Sequence, residues 1–179
     1  MKTPKLKSIT TLLALTASFL VLAAPSCSTA QGNDNRAPEV PTTIAVGDEN
    51  KVHFHVYAEG VQIYSWNGSA WVFLAPEAIL YDADGNGVGI HYAGPTWESN
   101  SGSKVIGARI GIAPSPNTNS IPMLLLEAKT PEGPGIFART TYIQRVNTVG
   151  GVAAAAAGST IGEEARVPYT AEYFFYRQQ

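Results

Sequence analysis

The sequence predicts one all-β domain, a single antiparallel β-sandwich or flattened β-barrel, on three observations. Beyond residue 42 the chain alternates short apolar runs with clusters of Gly, Pro, Asn and Asp. No window there sustains a helical period, so nothing can carry the crossovers that a parallel sheet needs. The 179 residues suffice for one domain rather than two, and no internal repeat divides them.

The first element is a targeting segment over residues 1–30. Lys2, Lys5 and Lys7 form a basic start, Ile9 to Ala24 is apolar, and Ser28-Thr29-Ala30 offers the small residues of a cleavage site. This predicts export, with the mature domain soluble and located outside the cell or in the cell envelope. Cys27 carries a competing lipoprotein reading, in which lipid is attached to that thiol. Against it, Ala24-Pro25-Ser26 lacks the leucine usual three residues upstream. An uncleaved anchor is the third alternative. Membrane contact is expected only through such an N-terminal lipid anchor. As the only cysteine, Cys27 also leaves no internal disulfide and no Cys-x-x-Cys metal site.

Residues 31–41 are polar, carry two prolines and have no periodicity, so they read as a tether to a domain spanning 42–179. Strands are expected at Thr43–Val46, Val52–Ala58, Val61–Trp66, Trp71–Ala75, Ile79–Tyr81, Val88–Tyr92, Lys104–Ile112, Met123–Ala128, Ile136–Val146 and Ala171–Tyr176. The alanine run at 152–158 is short and ends at Gly158, which makes it a loop with room for one helical turn. Asn67-Gly68 suits a tight hairpin turn in "VQIYSWNGSAWVFLA". Alternation then places Val61, Ile63, Val72 and Leu74 on one face, with Ser65 and Ala70. Gln62, Tyr64, Trp66, Trp71 and Phe73 share the other. The aliphatic face is expected in the core, and the aromatic face is either covered or a stacking platform.

Charge excludes one class of partner. Without the three lysines of the targeting segment, 9 basic side chains face 14 acidic ones, and no basic cluster exists for nucleic acid. A dinucleotide site is excluded because Gly85, Gly87 and Gly89 lack both the third glycine of the fingerprint and a following helix. No Gly-x-Ser-x-Gly elbow occurs, and no cofactor is expected.

Three motifs carry candidate chemistry. "GDENKVHFHVYAE" matches the first part of a cupin metal motif, with His53 and His55 on one strand face followed by Glu59. The closing glycine is Trp66, however, so solvated surface histidines are the plainer expectation. "DADGNG" supplies Asp82, Asp84 and Asn86 at calcium-loop spacing, but position 12 is Ala93, which favours a hairpin turn. In "HYAGPTWE", a turn at Gly94-Pro95 could set His91 against Glu98 as an acid/base pair, or Trp97 could simply anchor a hairpin.

Six ordered stretches, "GVQIY", "PEAILYD", "GIHYAGPTWE", "SIPMLLLEA", "TYIQRVNTVGG" and "VPYTAEYFFY", resemble the domain of unknown function 3455 family of exported bacterial and fungal proteins. The resemblance runs from about Val46 to Arg177 and implies no particular activity. A malate-dehydrogenase label on some fungal members has no support in a chain without a nucleotide fingerprint. The family pattern places cysteines where this chain has Ser65 and Ser159, which implies that these two serines lie close together.

The expected function is therefore a non-catalytic, envelope-associated or extracellular domain binding a small molecule or a carbohydrate. Its ligand-binding residues would be Tyr64, Trp66, Trp71, Phe73 and Trp97. The alternatives are a hydrolase or isomerase using His91 and Glu98, and a purely structural envelope component.

Overall fold

A computed structural model describes residues 36–179. The expected targeting segment over 1–30, with Cys27, and residues 31–35 of the expected tether lie outside the described residues. Eight strands follow one another: β1 (Asn50–Trp66), β2 (Trp71–Tyr81), β3 (Gly87–Tyr92), β4 (Thr96–Ser99), β5 (Lys104–Ala113), β6 (Met123–Ala128), β7 (Tyr142–Gly150) and β8 (Glu164–Gln178). Each pairs antiparallel with the next, and β8 returns to pair with β1, closing a barrel. Of the two architectures expected, the barrel is the one formed.

Several expected elements change once pairing is known. Val52–Ala58 and Val61–Trp66 are one strand, because β8 and β2 supply ladder partners straight through Glu59-Gly60. Trp71–Ala75 and Ile79–Tyr81 also merge. Pro76 sits where β2 is paired to β1 alone, the edge position that proline tolerates. The expected strand at Thr43–Val46 is instead a 3₁₀ turn at Thr42–Ile44, begun after Pro41 and joined to no strand. The strand expected at Ile136–Val146 begins only at Tyr142, and β4 is an additional strand of four residues. The alanine run is a loop.

The lumen is apolar and aromatic. Val56, Ala58, Leu80, Trp97, Val105, Leu126, Ile143, Tyr173 and Phe175 pack within it. Phe54, Phe137 and Phe175 close one end as an aromatic cluster with ring centroids 4.8–5.8 Å apart. Phe137 comes from the β6–β7 loop and is fully buried, its amide donating to Ser103 Oγ at 3.1 Å.

A second cluster covers the outer wall. Ile44 and Val46 lie with Val40 against Val52, Ala113, Met123, Leu125, Val146 and Phe174. Gln144 pins this strap: its Nε2 donates to Ile44 O at 2.6 Å, and its Oε1 accepts from the Tyr176 hydroxyl. Val40, within the expected tether, therefore packs on the barrel wall.

The faces of the first hairpin are the reverse of the expectation. Gln62 and Tyr64 point inward with Pro76 and Phe73, while Val61, Ile63, Ser65 and Val72 face outward. The turn spans Asn67–Ala70, with Asn67 Oδ1 accepting from the Ser69 and Ala70 amides. A bulge at Leu74 shifts the register between Ile63 and Tyr64. The aliphatic side is not core because the open half of the lumen demands polar and aromatic groups instead.

Gly60 marks the closest approach of β1 to β2. A Cβ there would stand 2.1 Å from Glu77 O and 2.5 Å from Ala78 Cα. Gly60→Ala is therefore expected to destabilise the barrel by about 1–3 kcal/mol, as overpacking does. A denaturant midpoint equal to wild type would contradict this.

Candidate functional site

The end of the barrel opposite the phenylalanine cluster is hollow. A pocket of about 510 Å³ lies there, within the range of small-molecule sites. Its walls include Gln62 and Tyr64 from β1, Phe73 and Leu74 from β2, His91 from β3, Trp97 from β4, Leu124 and Leu126 from β6, Arg145 from β7 and Tyr173 from β8. Gly94-Pro95, Arg109 and Ile121-Pro122 form the rim. Alternation on each strand creates this lining: register pairs His91 with Trp97, Leu124 with Arg145, and Arg145 with Tyr173.

The polar groups on this wall are unusual for a lumen. His91 is buried and stacks on Trp97 with centroids 4.3 Å apart, while Tyr173 meets both rings edge-on. Its Nδ1 lies 2.8 Å from Thr96 O, and since a carbonyl only accepts, Nδ1 carries the proton and Nε2 is the acceptor. Burial lowers the His91 pKa to about 3, with Arg145 adding to the effect, so the ring is neutral at ordinary pH. Burial likewise raises the phenol pKa values of Tyr169 and Tyr173, which keeps both as O–H donors.

Gln62 Nε2, Trp97 Nε1 and the Tyr173 hydroxyl have no well-formed hydrogen bond within the protein, although all three side chains are buried. The Tyr173 hydroxyl lies near Tyr169 and Arg145, and that of Tyr169 near Gln62, without a well-formed hydrogen bond among them. Tyr64 differs: its hydroxyl donates to Gly151 O at 2.6 Å.

The expected site residues divide between several places. Tyr64, Phe73, Trp97 and His91 meet in the pocket. Trp66 and Trp71 do not. They face each other at 5.5 Å beside the alanine loop, and Trp71 Nε1 donates to Ala156 O at 2.9 Å. The five aromatic residues thus form no common exposed platform, since Tyr64 and Trp97 are buried and Phe73 is half exposed. Ser65 pairs with Glu164, and the loop carrying Ser159 returns over the end of β1, with Gly158 against the Trp66 ring.

His91 and Glu98 are not brought together. His91 points into the lumen, whereas Glu98 lies opposite Ile90 on the outer face and accepts from the Tyr92 hydroxyl at 2.8 Å. Neighbouring positions on paired strands alternate faces, so the sheet itself separates them. His53 and His55 also part company. His53 Nε2 lies 3.3 Å from Thr140 Oγ1, while His55 Nε2 meets Glu172 Oε2 at 2.8 Å and stacks on Phe174. Among the described residues no three His, Cys, Asp or Glu side chains gather as a metal site. Asp82 Oδ1 accepts from the amides of Asp84 and Asn86, which makes "DADGNG" a turn.

Four polar pocket residues escaped sequence reasoning: Gln62, Arg109, Arg145 and Tyr173. Alternation does place Gln62 beside Tyr64. The register that unites β1 with β7 and β8 cannot be read along the chain.

An up-and-down barrel of eight strands, packed solid at one end and hollow at the other, defines the class of protein. The chain belongs to the DUF3455 family, described as protein of unknown function, whose family model matches residues 47–177. That match covers nearly all of the barrel and leaves out most of the N-terminal strap. No curated protein and no solved structure matches the chain.

Neutral burial of His91 links stability to pH. His53 behaves similarly: burial, with Arg177, Arg139 and Arg36 nearby, lowers its pKa to about 4. Both values lie below that of an unfolded histidine. Below about pH 6.5 the unfolded chain therefore binds protons that the folded chain refuses, and stability falls. The loss continues until the folded groups titrate near pH 4 and pH 3. Each group contributes up to about tenfold in the folding equilibrium per pH unit. Urea midpoints between about pH 6.5 and 5, where carboxylates change little, should fall in wild type and fall less steeply in His91→Gln. An unchanged slope in the variant would show that His91 is not held neutral.

Proposed function

We propose that the barrel is a non-catalytic binding protein that admits one small, mainly apolar molecule into the hollow end of its lumen. The carrying observation is the pocket of about 510 Å³ whose apolar wall includes unpartnered donors on Gln62, Trp97 and Tyr173. A polar group buried without a partner costs about 1–3 kcal/mol, and a ligand acceptor recovers that energy on binding. Preformed concave sites with a few polar groups on an apolar wall suit small molecules better than extended carbohydrate chains. Export fits this reading as a companion proposal from the sequence of the first thirty residues.

Catalysis by His91 has less support. A ring with a pKa near 3 is a weak general base at neutral pH, and its expected carboxylate partner is on the other side of the sheet.

The test uses a neutral naphthalene probe, N-phenyl-1-naphthylamine, titrated into purified protein. Saturable one-to-one enhancement of its emission is expected. Leu124→Trp, which fills the pocket, should weaken binding about tenfold or more. Ile90→Trp, on the exposed outer wall, should leave it unchanged. Binding that Leu124→Trp does not weaken would remove the proposed site.

A further inference from the structure

We infer that the pocket selects a carboxylate on an apolar body, held by the Arg145 guanidinium with Arg109 at the rim; this rests on the pocket being a binding site. The wall has two arginines and no acidic residue. That is a marked local bias in a chain whose acidic residues outnumber its lysines and arginines 14 to 12. Among the described residues, neither arginine forms an ion pair.

Arg145 is placed and oriented by the protein. It lies within the lumen between Leu124 and Tyr173 in the strand register. Its Nε and Nη2 both donate to Pro122 O, at 3.2 and 3.0 Å, so one edge of the guanidinium is fixed by the rim. The remaining N–H groups are those that a carboxylate takes in a two-point contact, for which a planar guanidinium is preorganised. Around them the wall supplies mostly donors: the Tyr173 hydroxyl, Gln62 Nε2 and Trp97 Nε1. Leu124, Leu126, Phe73 and Leu74 provide the apolar surface on which the rest of the molecule lies.

A neutral ligand would leave the half-buried guanidinium without a counter-charge, and a small hydrophilic anion would leave the apolar wall unfilled. An alkyl or aromatic carboxylate meets both requirements. The pocket volume accommodates a chain of about ten carbons.

The experiment compares decanoate with decan-1-ol as competitors of the neutral naphthalene probe, with direct calorimetric titration of each. Wild-type protein should bind decanoate at least about tenfold more tightly, the gain of a charge-assisted pair over a neutral hydroxyl. Arg145→Met should bring the ratio close to one. Arg109→Gln, at an exposed position, should lower it about two- to threefold and keeps the test open if Arg145→Met does not fold. A wild-type ratio near one, or a ratio that neither variant moves, overturns the inference. If the neutral probe and the alcohol still bind and Leu124→Trp still excludes them, the pocket stands and only the carboxylate is refuted. If no compound binds in a manner sensitive to Leu124→Trp, both readings fall.

Discussion

Pairing of β1 with β8 is the constraint on which the rest of the structure depends. These are the two longest strands, and their ladder runs from Asn50–Gln178 to Ser65–Glu164. Without that ladder the sheet would expose two long edges, each a row of unpaired backbone groups prone to adding a foreign strand. Closure removes both edges and also fixes the width of the interior. Eight strands enclose a lumen that side chains can just fill, or that can hold one small ligand. Here the two halves of the lumen take different courses. Phe54, Phe137 and Phe175 fill one end, while no comparably bulky loop residue descends into the other.

Aromatic residues serve two mechanical purposes in this barrel. Inside, Trp97 lies under His91 and against Tyr173 and Phe175, so one side chain joins the solid and hollow halves. Outside the lumen, Trp66 and Trp71 bind the loop between β7 and β8. Gly158 approaches Trp66 so closely that a Cβ would stand 2.6 Å from its Cγ, and small alanines follow the same surface. The alanine run is therefore neither a failed helix nor a flexible spacer. Its small side chains permit backbone to lie against an indole and accept the Trp71 N–H bond.

Much of the fold was legible because antiparallel strands carry their own punctuation. Met123–Ala128 was recovered with its bounds, and the all-β class follows from turn residues alone. Strand continuity was less legible, since Gly60 and Pro76 look like breaks until neighbouring strands supply their partners. The inward face of the first hairpin was misjudged for a different reason. Aliphatic side chains usually seek the core, but this half of the lumen is a cavity, and Val72 remains 45% exposed while Gln62 is 2% exposed. The pair His91 and Glu98 looked chemical because a turn at Gly94-Pro95 could set these residues, seven positions apart, against each other. Across a hairpin that same spacing places them on opposite faces. Arg145 carried no local signal at all, because its meaning comes from Tyr173 and Pro122, which the pairing of β7 with β8 and β6 brings near.

The ionisation states in the hollow end follow from the same enclosure. Desolvation works against any charged form, so it holds His91 as a neutral acceptor and the Tyr169 and Tyr173 phenols as donors. Among these groups stands the Arg145 guanidinium, fixed to Pro122 O by two hydrogen bonds. Arg145 and His91 thus share one pocket wall, and the burial that holds the histidine neutral there is the same burial that ties the stability of the barrel to pH.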